Sequence, residues 1–169
     1  GGWFGQKALA GGGPLIDLGV HRLDLALWLM GYPKPSWVMG STYDHIASAI
    51  AKKEGKKFDV EDMAVGLVKF ENGATLEIEA SWAANIKENE HMSTRLLGTK
   101  AGLLQHNVNE GYAWEAEFFV EREGAQYDMK LHPPVPQAQS SMQHFVESIV
   151  SGKPNIATAE EGIIVMELL

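Results

Sequence analysis

Three ionisable side chains near the start of the chain, Asp17, His21 and Asp24, have a spacing that suits joint chemistry. On a helix, offsets of four and seven residues bring side chains to one face, one above another. A carboxylate one turn from an imidazole can hold the ring in one tautomer and raise its basicity. A histidine held in this way can give or take a proton near neutral pH. The spacing therefore predicts a proton-transfer site on the first long helix.

Two other interpretations of this spacing stay open. An aspartate and a histidine one turn apart are often only a surface ion pair. The segment from Leu15 to Met30 is strongly apolar, however, and polar groups on a buried face need a partner or a cleft. A metal site is the second alternative, since aspartate and histidine bind first-row metals. The other histidines are scattered without a second ligand pair, so we predict no metal; they are His45, His91, His106, His132 and His144.

The residues around this motif predict how it is positioned. The glycine triplet at 11–13 allows a ligand or another backbone to approach closely, and Pro14 suits the first turn of a helix. The apolar pattern then predicts a largely buried helix over 15–30, which Gly31 ends. Asp17 lies near the start of this helix, where the helix dipole favours a charged carboxylate.

After Gly31 the period of the apolar residues changes and indicates strands. Asn72-Gly73, the strongest short signal for a hairpin, joins two of them, and Thr158 with Glu161 forms a capping box for a last helix. One helix, then antiparallel strands, then helices predict an α+β domain: an open, mostly antiparallel β-sheet with helices packed on one face. The predicted strands are 37–43, 63–70, 74–82, 93–97, 102–105, 114–121 and 126–131, and a further helix covers 142–150.

Composition and charge narrow the class of protein. The 169 residues suit a single domain, 1–169, and a chain of this length can bury a core. A formal net charge of −8 argues against nucleic acid and anionic membranes as partners. The absence of cysteine excludes disulfides and fits a reducing compartment, so we expect a cytoplasmic protein. The longest apolar stretch, around 23–30, is too short to span a bilayer.

The motif around Asp17 and His21 resembles the signature of the Gfo/Idh/MocA oxidoreductases, the relatives of glucose–fructose oxidoreductase and inositol 2-dehydrogenase. A glycine triplet, an aspartate, a glycine and a histidine at fixed offsets carry the likeness, and further segments follow in the family's order. The motif is Gly11-Gly12-Gly13-x-Leu15-x-Asp17-x-Gly19-x-His21-x-x-Asp24, continuing into Trp28-Leu29-x-Gly31. The other segments are Phe70-Glu71-Asn72-Gly73-Ala74, Ala80-Ser81-Trp82, Leu97-Gly98-Thr99-Lys100-Ala101-Gly102, and Gly152-Lys153-Pro154 followed by Thr158-Ala159-Glu160-Glu161-Gly162.

This resemblance implies a division of labour. The family joins an N-terminal Rossmann domain for NAD or NADP to a C-terminal α+β domain, and this chain resembles the second alone. By motif position, Asp17 would orient or polarise the substrate hydroxyl and His21 would be the general acid/base, together with a lysine from the first domain. The Glu-Lys-Pro motif of that lysine and a dinucleotide fingerprint are both absent from the sequence. We therefore expect an excised catalytic domain that binds no cofactor by itself and is inactive alone.

The resemblance also implies a reaction and partners. A hydride would pass between the nicotinamide and a sugar, polyol or related hydroxy compound, and the protein would form a homo-oligomer through the outer face of the sheet. Trp82, Asn85 and His91 are the predicted substrate contacts, although Trp82 is equally well explained as a core residue at a strand end. Gly12 and Gly13 are candidate contacts of the cofactor.

Two other functions stay open. The fold can serve as a non-catalytic dimerisation or ligand-binding module, or as a redox-neutral family member that retains its cofactor, such as a glycosidase that works through a transient ketone. Intact Asp17 and His21 favour the dehydrogenase and the redox-neutral enzyme over the non-catalytic module. Asp24 is expected to be structural, either capping a loop or holding Arg22 or a backbone amide.

Overall fold

The computed structural model describes residues 2–131 and 139–169, which pack as two compact units. The first unit comprises Gly1–Asn89 with Ile164–Leu169, and the second comprises Glu90–Ile163. No helix among these described residues has the length and apolar character to cross a membrane. Both units contain helices and antiparallel strands, which confirms the α+β class.

The elements follow the predicted order of helix, strands and helices, except that a helix at Ala47–Lys53 separates the first two strands. The helical elements are a 3₁₀ turn at Trp3–Gly5, α1 (Lys7–Ala10), a π-helical turn at Leu15–Gly19, α2 (Val20–Met30), α3 (Ala47–Lys53), α4 (Ser141–Ser151) and α5 (Ala159–Leu168). The strands are β1 (Pro35–Tyr43), β2 (Met63–Phe70), β3 (Thr75–Ser81), β4 (Ser93–Leu97), β5 (Ala101–Val108), β6 (Ala113–Arg122) and β7 (Ala125–Lys130).

The helix predicted over 15–30 consists of two helical segments. In the π-helical turn the N–H of Val20 donates to the carbonyl of Leu15, five residues back, before α2 continues as a regular helix. α2 ends at Gly31 as predicted, with a φ of 75° in the left-handed region that glycine adopts without strain. The prediction of a largely buried helix is wrong at Leu18, which lies in the π-helical turn and is 40% exposed. In α2 only Leu23 and Leu27, on the side that faces the sheet, are fully buried.

In the first unit, β1, β2 and β3 form an antiparallel sheet in that order. The predicted hairpin between β2 and β3 is confirmed. Gly73 has a φ of 90°, and the side-chain oxygen of Asn72 accepts a hydrogen bond from the N–H of Ala74 at 3.0 Å. Both features belong to the local sequence, which is why the hairpin could be foreseen.

The core of the first unit lies between α2 and one face of this sheet. The inner positions of α2 are almost fully buried and meet alternate residues of β2 and β3. A residue of α5 closes the same cluster. Burial of this kind is the main stabilising term in folding. The cluster comprises Leu23, Leu27, Val68, Phe70, Leu76 and Val165.

The second unit contains β4–β7, which form a separate antiparallel sheet in chain order. The strands of the described residues therefore divide between two sheets of three and four strands. Asn107 of β5 is buried, and its side chain accepts from the N–H of Met92 at 2.8 Å and donates to the carbonyl of Glu90 at 3.1 Å. These bonds fix the entry into β4.

The helices α4 and α5 begin with side-chain caps. Ser140 accepts the N–H of Gln143 at 3.2 Å at the start of α4. The predicted capping box is confirmed, because the N–H of Thr158 donates to Glu161 at 2.8 Å and the N–H of Glu161 donates to the Thr158 hydroxyl at 3.2 Å.

The buried position of Leu27 predicts a large loss of stability on truncation. Leu27 is 0% exposed, so Leu27→Ala leaves a cavity and should lower the free energy of unfolding by about 2–5 kcal/mol. The matched control is Leu9→Ala, because Leu9 is 62% exposed and its loss should change stability by less than about 0.5 kcal/mol. Urea denaturation of both variants tests this, and equal midpoints would contradict the placement of the core.

Candidate catalytic site on the first helix

Asp17 and Trp82, 65 positions apart in the chain, meet in the first unit. The indole N–H of Trp82 donates to Oδ2 of Asp17 at 3.0 Å, and both side chains are partly buried. The structure thus brings together a predicted catalytic residue and a predicted substrate contact. A bond to an ionised carboxylate is stronger than one between neutral groups.

Close packing between the helix and β3 creates this contact. A Cβ at Gly19 would lie 3.3 Å from that of Ala80 and 3.5 Å from the side chain of Ile78, so the π-helical turn rests directly on the strand. Asp17 lies two residues before Gly19, and Trp82 lies two residues after Ala80. The contact between these two small residues therefore sets the distance across which the indole reaches the carboxylate.

The backbone holds Trp82 firmly at the end of β3. The backbone N–H of Trp82 donates to the carbonyl of Asp62 at 3.1 Å, and the hydroxyl of Ser81 donates to the same oxygen at 2.7 Å. The Ser81 hydroxyl also accepts the N–H groups of the next two residues after Trp82, at 3.1 and 3.0 Å. The rings of Trp82 and Phe4 pack in a T-shaped arrangement, with 6.2 Å between their centroids.

Glu61 binds the start of the helix, and the sequence analysis missed it. Its two carboxylate oxygens accept the N–H of Gly13 at 2.9 Å and the N–H of Leu15 at 3.2 Å. Backbone N–H groups at a helix start lack partners within the helix, and a negative charge is stabilised there. Glu61 is 48 positions from Gly13, so no local pattern could reveal the pairing.

Asp62, the neighbour of Glu61, anchors a second helix. Asp62 is 2% exposed, and one of its oxygens accepts the N–H groups of Ile46 and Ala47 at 2.8 and 2.7 Å. These groups begin α3. Two adjacent acids before β2 therefore fix the starts of two helices, while the Asp62 carbonyl holds Trp82.

His21 lies on the first turn of α2 with its side chain exposed. Within the described residues 2–131 and 139–169, the His21 ring has no hydrogen-bond or ion-pair partner. The direct bond to Asp17 that the spacing suggests is therefore not made. Oδ2 of Asp17 instead accepts the indole N–H of Trp82. Asp24 accepts a 2.7 Å hydrogen bond from the hydroxyl of Tyr32, which ties α2 to the turn that follows it.

The other predicted contacts are distributed around this centre. Asn85 is exposed three residues after Trp82, in the first unit, whereas His91 is exposed in the second unit. Among the described residues, no group of three acidic or histidine side chains is placed to hold a metal ion. Of the scattered histidines, His132 lies outside the described residues.

A cleft of about 670 Å³ lies beside the glycine triplet and does not include Asp17 or Trp82. Gly12 and Asp59 form part of its wall, and Asp59 is paired with the side chain of Lys57 at 2.8 Å. Bonds from the Lys57 side chain and from the backbone N–H of Lys7 hold the pKa of Asp59 below its usual value. The cleft is thus bordered by a carboxylate that stays ionised near neutral pH.

A dinucleotide does not fit the N–H groups at this helix start. The N–H groups of Gly13 and Leu15, which could bind a phosphate, are already donated to Glu61. Both sheets of the described residues are antiparallel, whereas dinucleotide sites of the Rossmann type lie at the ends of parallel strands. Of the two glycines predicted to contact a cofactor, Gly12 lines the cleft, whereas Gly13 is packed against Glu61.

Comparison with known proteins gives consistent matches. A family model described as the GFO/IDH/MocA C-terminal domain matches residues 1–104. D-glucoside 3-dehydrogenase of Escherichia coli is 34% identical over 178 aligned residues, which cover 99% of this chain and 48% of that protein. Levoglucosan dehydrogenase of Pseudarthrobacter phenanthrenivorans is 27% identical over 114 residues, which cover 60% of this chain and 29% of that protein. The chain spans about half the length or less of these relatives.

Solved structures share the fold. An oxidoreductase domain protein from Kribbella flavida superposes with a TM-score of 0.78 at 20% identity, over 98% of this chain and 50% of that one. A levoglucosan dehydrogenase in complex with NADH and L-sorbose gives a TM-score of 0.75 at 19% identity, over 98% of this chain and 49% of that one. The predicted resemblance in fold is therefore confirmed.

The contact between Gly13 and Glu61 predicts that position 13 tolerates no side chain. A Cβ at Gly13 would overlap the carbonyl oxygen and the carboxyl carbon of Glu61, so Gly13→Ala should lower the free energy of unfolding by about 2 kcal/mol. Gly162→Ala is the control, because that helical position is open and alanine there should stabilise by about 0.5–1 kcal/mol. Urea denaturation measures both changes, and a neutral Gly13→Ala would disprove the close approach.

Proposed function

The chain belongs to the GFO/IDH/MocA family, and we propose that it is the substrate-binding and proton-transferring part of a nicotinamide-dependent dehydrogenase. The observation that carries the proposal is the anchored Asp17, bonded to Trp82 one turn before the exposed His21. A held carboxylate beside a free imidazole suits the handling of a hydroxyl proton. The dehydrogenase names of two sequence relatives support the same reaction class.

The proposed chemistry is the oxidation of an alcohol to a ketone. The carbon that bears the hydroxyl gives up a hydride, and the hydroxyl oxygen gives up a proton, so the substrate loses two electrons. His21 would take the proton in this direction and return it in the reverse direction, because a neutral imidazole nitrogen is a good acceptor near neutral pH. Asp17 would orient the hydroxyl through the carboxylate oxygen that Trp82 leaves free.

The nicotinamide cofactor would accept the hydride. We propose that its binding site lies in a part of the protein beyond the described residues. Glu61 accepts the N–H groups of Gly13 and Leu15, which could otherwise bind a phosphate, and this supports the assignment. We infer that a Rossmann domain, as in the family that the chain resembles, carries NAD or NADP and supplies the catalytic lysine. The chain alone is then expected to lack dehydrogenase activity.

The proposed substrate is a sugar, a polyol or a related hydroxy compound. D-glucoside 3-dehydrogenase is the relative whose alignment covers 99% of this chain, so a D-glucoside is the first compound to test. Asn85, close after Trp82 in the chain, is the proposed polar contact in this unit, and the role of His91 remains a prediction. Hydroxyl-rich substrates are typically held by several such side chains.

We also propose that the outer face of the first sheet pairs with a second copy of the chain. Trp37, Met39 and Tyr43 of β1 lie on the face away from α2 and are 48%, 63% and 43% exposed. An edge strand with large exposed apolar side chains is normally covered in a native protein. These three side chains are aligned on one face by the two-residue period of a strand.

The proposed role of His21 predicts a large loss of turnover on substitution. In the full-length protein, His21→Gln should lower kcat by about 100-fold or more with a D-glucoside and NAD or NADP, as is usual when a general acid/base is lost. His45→Gln removes another exposed imidazole from the same unit and should keep kcat within about 2-fold of the wild type. Normal turnover of the His21 variant, measured by nicotinamide absorbance, would contradict the assignment.

The proposed self-association predicts a change of oligomeric state. Met39→Glu places a charge in the centre of the exposed face and should convert a dimer or larger assembly of the full-length protein into monomers. Leu9→Glu changes an equally exposed leucine outside this face and should leave the assembly intact. Light scattering after size exclusion measures the mass, and an unchanged mass for the Met39 variant would rule out this interface.

A further inference from the structure

Trp82 has a single polar group, and that group is already engaged with Asp17. The indole ring donates through one N–H and has no acceptor, so it cannot bind a substrate hydroxyl while it holds the carboxylate. We propose that Trp82 is a positioning residue that fixes the Asp17 carboxylate for catalysis. This inference rests on the proposed function, because it assigns Trp82 a role that acts through Asp17.

The Asp17 carboxylate depends on this bond for its orientation. Within the described residues, the indole N–H is the one hydrogen-bond donor to the Asp17 side chain. The terminal torsion of an aspartate is broad, so a carboxylate without a partner samples many orientations. With Oδ2 bound to Trp82, Oδ1 keeps a defined direction in which it can accept the substrate hydroxyl.

Trp82 is rigid enough for this role. Its backbone N–H donates to the carbonyl of Asp62, and the side chain of Asp62 is itself buried and accepts two backbone N–H groups at the start of α3. The Ser81 hydroxyl closes the turn that follows, and the Phe4 ring packs against the indole in a T-shaped arrangement. A catalytic group is held most precisely when its supporting residues are themselves locked by packing and hydrogen bonds.

The geometry also explains why an indole is needed at this position. Phenylalanine would keep most of the ring packing against Phe4 but has no donor for Asp17. Trp82→Phe therefore separates the hydrogen bond from the packing. A purely structural role would survive this change, whereas a positioning role would not.

The test is a double-mutant cycle in the full-length protein with a D-glucoside and NAD or NADP. Trp82→Phe should lower kcat by about 10- to 100-fold, the range expected for a misplaced catalytic group, and change KM by less than about 2-fold. In an Asp17→Ala background the same substitution should lower kcat no further, because the group that Trp82 positions is gone. Trp28→Phe is the matched control: its ring is 59% exposed on α2, and kcat should stay unchanged.

A spectroscopic measurement checks the same bond without turnover. The indole N–H resonance of Trp82, identified by its loss in Trp82→Phe, should shift and exchange faster with solvent in Asp17→Ala. The corresponding resonance of Trp28 should not move.

The outcomes separate this inference from the proposed function. Wild-type kcat in Trp82→Phe, or an equal loss of kcat in the presence and absence of Asp17, would overturn the positioning role. Wild-type kcat in both Asp17→Ala and His21→Gln would overturn the proposed function itself. If those two variants lose activity while Trp82→Phe does not, the function stands and the inference about Trp82 falls.

Discussion

The packing of the π-helical turn on β3 at Gly19 is the constraint on which the site depends. Because Gly19 has no side chain, the helix lies so close to β3 that a Cβ at this position would be 3.3 Å from the Cβ of Ala80. In a closely packed interior, a shift of the helix towards or away from the strand would create a clash or a gap. Asp17 and Trp82 are each two residues from this contact. A hydrogen bond of 3.0 Å between two long-range partners is therefore set by an apolar contact that takes no part in chemistry.

The adjacent acids Glu61 and Asp62 connect this contact to the rest of the first unit. Helix starts carry N–H groups without partners, and each acid satisfies two of them on a different helix. A buried carboxylate is costly unless it is hydrogen-bonded, and the two N–H bonds to Asp62 meet that requirement. Since the Asp62 carbonyl also holds Trp82, the segment before β2 positions both partners of the proposed catalytic contact.

Local chemistry explains which features could be predicted from the sequence. The helix end at Gly31, the Asn72-Gly73 hairpin and the Thr158 capping box depend on residues within a few positions of one another, and all three are confirmed. The hydrogen bond between Gly13 and Glu61 and the one between Trp82 and Asp17 join residues 48 and 65 positions apart. No periodic pattern in the sequence encodes such pairings. The π-helical turn was missed for the same reason, because its residues pack against a distant strand.

The two close contacts at Gly13 and Gly19 also determine where the chain can change in length. They lie six residues apart on either side of Asp17, one against Glu61 and the other against β3. A residue added or removed between them would rotate the helix that follows by about 100°, and both contacts could not be kept. Insertions and deletions during divergence should therefore accumulate in loops such as 54–58 and be absent from 13–19. The length of this segment is as much a part of the site as its side chains.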